Sequence, residues 1–201
     1  MELLIILVLV VVLVIGYIYF YDGTEPFKST VNNKYYRVRG NNEMKQVKCN
    51  LLAVLHDKLV ILVESLRNDS KVNKNQNVIR LLNNWDSGIT IKETGNMESD
   101  AAYVINKKYM SICLKNFCET SQCSNVNSLE NINLLTYVGI HELSHIMSEG
   151  IGHDDEFKDN FKFLLDYSQL LKYLGNKLYI NLSELNTPSN YCGVSIINSI
   201  S

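Results

Sequence analysis

The sequence predicts an α+β domain carried behind an apolar N-terminal helix. Three features lead there: an uncharged run at the start, long stretches with apolar residues at steps of three and four, and short alternating segments between them. At 201 residues the chain has room for one ordinary domain and an appendage. Nineteen basic residues stand against 21 acidic ones, so the totals carry no nucleic-acid footprint. Pro26 and Pro188 are the only prolines and no segment is Gly/Ser-rich, which sets disorder aside as the default.

The apolar run extends from Leu3 to Phe20. It nearly reaches the roughly 20 helical residues that a bilayer core of about 30 Å requires. Tyr17, Tyr19, Phe20 and Tyr21 gather at its end, where amphipathic rings prefer the headgroups. A cleaved signal peptide fits less well: Glu2 stands where a basic residue is wanted, and aromatics occupy the place of a small-residue cleavage site. The expected organisation is a transmembrane anchor over 1–21, a polar stalk over 22–42 and a domain over 43–201. Lys28, Lys34, Arg37 and Arg39 follow the run and no Lys or Arg precedes it, a bias that places the domain on the cytoplasmic side of a single-pass protein.

Within the domain, Met44, Val47, Leu51, Leu55, Leu59, Leu62, Val63 and Leu66 define an amphipathic helix. A polar loop over 68–77 and a short helix around Val78–Asn83 follow, with Trp85 beneath it. Alternation at 88–91, 103–105 and 109–114, broken by turn residues at Gly95-Asn96 and Asn106-Lys107-Lys108, predicts a small, mainly antiparallel sheet. Residues 118–127 read as a loop. Asn127 and Glu130 then resemble a capping box for a helix through Leu135, Val138, Leu143 and Ile146. Glycines at 150 and 152 end it, and Asp154 and Asp155 open another, with Phe157, Phe161, Leu164, Leu165 and Leu171 as its apolar face.

Five cysteines, Cys49, Cys113, Cys118, Cys123 and Cys192, are an odd number, against a complete disulfide framework. Their spacing is loose for a zinc knuckle. Buried apolar thiols are the expectation.

The chemistry sits in His141-Glu142-Leu143-Ser144-His145. On a helix, residues four apart stack on one face, so two imidazoles can reach one metal ion while the glutamate stands beside it. Zinc brings the pKa of a bound water toward neutrality, and a carboxylate can take its proton during attack on a carbonyl. A catalytic zinc needs a third protein ligand. His153, just beyond the glycine turn, is the first choice; Glu149, Asp154 and Glu156 are the rivals. Asp154 and Asp155 suit capping or the orienting of a histidine. His56, beside Asp57 on the early helix, is left out. Tyr167, Tyr173 and Tyr179 are candidates to donate to an oxyanion.

The stretch HELSHIMSEGIGHDDEFKDNFKFLL resembles the HExxH…GHxxxF core of WLM-type and SprT-type zinc metallopeptidases. The wider pattern resembles membrane-anchored WLM-like proteins of large DNA viruses, with Ile112-Cys113-Leu114 ahead of the motif and Tyr191-Cys192-Gly193 after it. The resemblance implies a zincin-like domain, with His141, His145 and His153 as zinc ligands and Glu142 as general base. It also admits a viral or host membrane. Metzincins, whose third histidine comes closer after HExxH, are disfavoured. Several WLM and SprT relatives act on proteins crosslinked to DNA; without a basic tract that substrate is not carried over. The expected function is hydrolysis of peptide bonds in a protein or peptide substrate near a membrane. The alternative is a non-catalytic metal-binding structural or interaction protein of a viral or cellular membrane.

Overall fold

The computed structural model describes residues 22–95, 101–117, 129–173 and 188–196, with Ile6, Val10, Val11, Ile180 and Leu185 as isolated positions. The apolar run Leu3–Phe20 otherwise lies outside them; Ile6, Val10 and Val11 are helical and exposed. No helix of the described residues is long and apolar enough to cross a membrane. Asn96, residues 118–127 and Tyr179 also lie outside the described part.

Two short strands come first, β1 (Glu25–Lys28) and β2 (Tyr35–Val38). Helix α1 (Asn42–Asn68) follows, capped by the Asn41 side chain, which accepts from the Met44 amide at 2.9 Å. Its inward residues Leu52, Leu55, Leu59, Leu62 and Leu66 are fully buried. Helix α2 (Gln76–Asp86) is capped in the same way by Asn75. Strands β3 (Thr90–Glu93), β4 (Ala102–Ile105) and β5 (Tyr109–Ile112) precede two long helices, α3 (Leu129–Met147) and α4 (Asp155–Tyr173). A hairpin of β6 (Ser189–Tyr191) and β7 (Val194–Ile196) closes the described chain.

The broad α+β expectation holds, but the sheet is mixed rather than mainly antiparallel. Its order is β1-β2-β3-β5-β4. The pairs β1–β2 and β4–β5 are antiparallel because tight turns join them. Between β2 and β3 the chain passes through α1 and α2, and such a crossover returns it in the same direction, so this pair is parallel. Strand β4 is set at the edge, which leaves β3 to pair with β5, again parallel. Tyr36, Val38, Ile91, Glu93, Met110 and Ile112 face the helices and are buried, as strand alternation requires. Helix α1 lies against β1–β3 and α3 against β4. One polar pair crosses this core: Lys48 Nζ meets Glu93 Oε1 at 2.6 Å, both side chains almost wholly buried.

Two expectations are corrected. Residues 22–42 are not a free stalk but supply β1 and β2. The signal was the alternation of buried Tyr36 and Val38 with exposed Tyr35 and Arg37. Asp22 fixes the entry, bonding the Thr24 amide at 2.9 Å and Lys92 at 3.0 Å. Nor are all the cysteines thiols. Cys113 and Cys192 form a disulfide between the end of β5 and the hairpin, while Cys49 stays free and buried. Tyr191 Oη donates to Cys113 O at 2.8 Å and so brings residue 192 beside residue 113. With the two cysteines 79 positions apart in sequence, spacing held no trace of this.

A crosslink closing so long a loop removes much unfolded-state freedom and is worth about 2–5 kcal/mol. Cys192→Ser, or a dithiol reductant, is expected to lower the midpoint of thermal unfolding by several degrees; an unchanged midpoint contradicts this.

Candidate metal centre

The centre is built on the last two turns of α3. Gly139 lets that helix approach α1 closely, since a Cβ there would lie 2.5 Å from Leu55 Cδ1, a side chain with no room to swing. The approach buries one face of the HExxH segment: Ile140, Leu143 and Ile146 are fully covered, and Ser144 Oγ turns back to Ile140 O at 2.8 Å. His141 and His145 stand on the opposite side, half-buried, toward a cleft of 1180 Å³.

A short return carries the chain from α3 to His153. Asp154 Oδ1 caps α4 by accepting from the Phe157 amide at 2.9 Å. Glu156 Oε2 accepts from the Glu149 amide at 2.9 Å, and Glu156 Oε1 takes Arg80 Nη1 at 2.8 Å. Asn160 Nδ2 donates to Ser148 Oγ at 2.9 Å, itself supported by Asn77 at the same distance. The loop that sets the third histidine is thereby tied to α2 and α4.

The outcome is convergence. His153 Nε2 lies 3.0 Å from His141 Nε2 and 3.2 Å from His145 Nε2. Three nitrogens bound tetrahedrally at about 2.0–2.1 Å would stand about 3.3 Å apart, so the set fits one metal ion with little adjustment. These three histidines can hold a metal ion together. Phe157 packs on all three rings, with centroids at 4.3–4.9 Å, which restricts their rotation. Burial pushes the His141 imidazole down to about 3, helped by the charges of His145 and His153. Burial, then His153 and Lys107, push His145 to about 4. Both rings are therefore kept neutral, the form that donates a lone pair to a metal.

Glu142 lies in the same cleft, 2 % exposed, and its Oε2 has no hydrogen-bond partner among the described residues. Burial raises its carboxyl to about 8. Tyr191, buried beside it, has its phenol pushed up by burial and by the Glu142 charge. The cleft runs between the edge strand β4, helix α3 and the β6–β7 hairpin.

The remaining candidates are placed elsewhere. Glu149 is exposed and pairs with Arg80 at 3.7 Å; Glu156 bonds the loop backbone; Asp155 pairs with Lys158 at 2.9 Å. Asp154 caps, and His145 Nδ1 is buried without a partner among the described residues, so neither aspartate orients that ring. His56 bonds Tyr36 Oη at 2.7 Å and meets Trp85 edge-on, outside the cluster as expected. Tyr167 is corrected as an oxyanion candidate: its hydroxyl is turned to Ser65 O and Asp69, away from the cleft. Sequence reasoning gave no role at the site to Lys107, Arg80, Asn84 or Tyr191. Lys107 left a sign in its turn beside Asn106, and Tyr191 in the Tyr191-Cys192-Gly193 element.

No protein-family model matches the chain, and no solved structure matches it. It is similar to uncharacterized viral proteins. One, from Acanthamoeba polyphaga mimivirus, is 27% identical over 171 residues, covering 84% of this chain and 80% of that protein. A second, from Invertebrate iridescent virus 6, is 30% identical over 94 residues, 47% of this chain and 48% of its own length. A third, from Invertebrate iridescent virus 3, is 31% identical over 72 residues, 36% and 41% of the two chains. The chain thus spans about half or less of the two iridescent-virus proteins.

The raised Glu142 carboxyl has a consequence for stability. Between about 4.5 and about 8 the folded state holds a proton that the unfolded state has released, so stability falls as pH rises through that window. Glu142→Gln removes the penalty. The metal-free variant is expected to be more stable to unfolding than wild type at pH 8, by about 1–3 kcal/mol after allowing for a buried amide and so with a higher melting midpoint, and to differ little at pH 4.5. Equal melting at both pH values contradicts the buried-carboxyl assignment.

Proposed function

We propose that the chain is a membrane-anchored zinc metallopeptidase of the HExxH…H type, related to the WLM and SprT peptidases. The convergence of His141, His145 and His153 on one point, with Glu142 Oε2 unpartnered among the described residues in the same cleft, carries this reading. All-nitrogen ligation by three histidines suits zinc, and a three-ligand site is the catalytic pattern. Bound zinc supplies an acidified water and a Lewis acid for the scissile carbonyl.

The chain's own groups do the rest. Glu142 Oε2 accepts a proton from the attacking water and returns it to the departing amine, so its proton balance closes over one turnover. Burial raises the basicity of Glu142, which helps it accept, and the carboxyl would ionise more readily beside the positive charge of a held metal. Phe157 and the hairpin residue Tyr191 shield the site from bulk water. Strand β4 comes last in the sheet order and borders the cleft, a place where an extended peptide can lie alongside a strand. That placement supports the reading of a protein or peptide substrate.

The anchor reading stands on Leu3–Phe20 alone. For its orientation, the Lys/Arg bias and the disulfide point opposite ways. Disulfides persist in oxidising surroundings, and we give the covalent link more weight than a bias of four charges, placing the domain on an oxidising side of a viral or cellular membrane. The alternative of a metal-holding structural protein gains nothing from the open cleft beside the three imidazoles.

Purified full-length protein is expected to hold one zinc per chain and to cleave an unfolded protein substrate. His153→Ala should lose the zinc. Glu142→Gln should keep it and lose at least 100-fold in cleavage rate. Folded wild-type protein without zinc affinity, or an E142Q variant as active as wild type, overturns the proposal.

A further inference from the structure

The end of α3 exposes carbonyls that no helical amide can reach. Three side chains from elsewhere in the fold take them. Lys107 Nζ donates to His145 O at 2.6 Å, Asn84 Nδ2 to Ile146 O at 2.9 Å, and Arg80 Nη1 to Met147 O at 2.9 Å. Lys107 differs from the other two. Its ammonium also donates, at very short range, to Gly150 O. It therefore joins the residue of the second imidazole to the middle of the return loop, three residues before His153.

Its backbone adds a second observation. Asn106 and Lys107 close the β4–β5 turn with φ of 53° and 54°, both in the left-handed region. Asparagine adopts that region readily; lysine seldom does, and holding it there costs energy. Strain of this kind persists where the surroundings over-determine it. Here two carbonyl bonds to the loop around the imidazoles do so, and the side chain itself lines the cleft.

We propose that Lys107 is a positioning residue for the metal centre: its ammonium fixes the chord between His145 and Gly150, and so where His153 presents its ring. The inference rests on the proposed metal centre, not on the hydrolysis itself. Charge and position make opposite demands here. A cation beside the site repels a divalent ion, so deleting its charge alone would tighten metal binding. Deleting the clip frees residues 146–152 to spread and weakens it.

Cobalt(II), whose visible absorption reports coordination geometry, serves as the probe on full-length protein. Lys107→Met is expected to weaken cobalt affinity 10- to 100-fold, the usual effect of losing a group that orients a ligand, and to alter the spectrum at saturating metal. Lys107→Arg keeps a cationic donor and should recover most of both. K107M affinity equal to or tighter than wild type, with an unchanged spectrum, overturns the inference. Should K107M fail to fold, Lys107→Gln is read against the same limits. Wild-type protein that takes up no cobalt would remove the metal centre and the peptidase reading together. Cobalt-binding wild type with an unaltered Lys107 variant would remove the positioning role alone.

Discussion

The requirement that three imidazoles meet within hydrogen-bonding distance of one another, on chain segments twelve residues apart, governs the rest of this structure. Helical geometry settles two of the three: His141 and His145 share a face of α3 whatever surrounds them. The third must be brought back by an irregular loop, and a loop with two glycines does not hold one conformation unaided. The surrounding fold supplies the constraint. Helix α2 lends Arg80, Asn84 and Asn77, helix α4 lends Glu156 and Asn160, and the β4–β5 turn lends Lys107.

The same arrangement sets the site against the stability of the fold. Neutral, crowded imidazoles and a buried carboxyl are each unfavourable without a cation, because burial penalises their charged forms. On the proposed reading a cation would reverse that balance by drawing on the lone pairs and favouring the carboxylate. Metal uptake would then be coupled to folding through the same four side chains. The core of Leu52, Leu55, Leu59 and Leu62 under α3, together with the Cys113–Cys192 link, offsets the cost.

Much of the site was legible because its signal is local. Five consecutive residues and a glycine turn sufficed to select His141, Glu142, His145 and His153. Steps of three and four likewise gave α1, α3 and α4 with their buried faces. What escaped was long-range. The parallel pairing of β3 with β5 depends on where β4 is inserted, which no residue in β3 encodes. The β1–β2 hairpin hid in a polar stretch because its strands have four residues each and only two inward positions in β2. The disulfide and the carbonyl donors join residues 38 to 79 positions apart, and lysine, arginine and asparagine are too common for their presence to mark a role.

X-ray absorption at the zinc edge on the purified full-length protein tests the centre most directly, since it counts and identifies the atoms around the metal. Three imidazole nitrogens at about 2.0–2.1 Å and one further light ligand are the expected first shell. A sulfur scatterer near 2.3 Å, or only two imidazoles, would contradict the convergence of His141, His145 and His153 on which everything else is built.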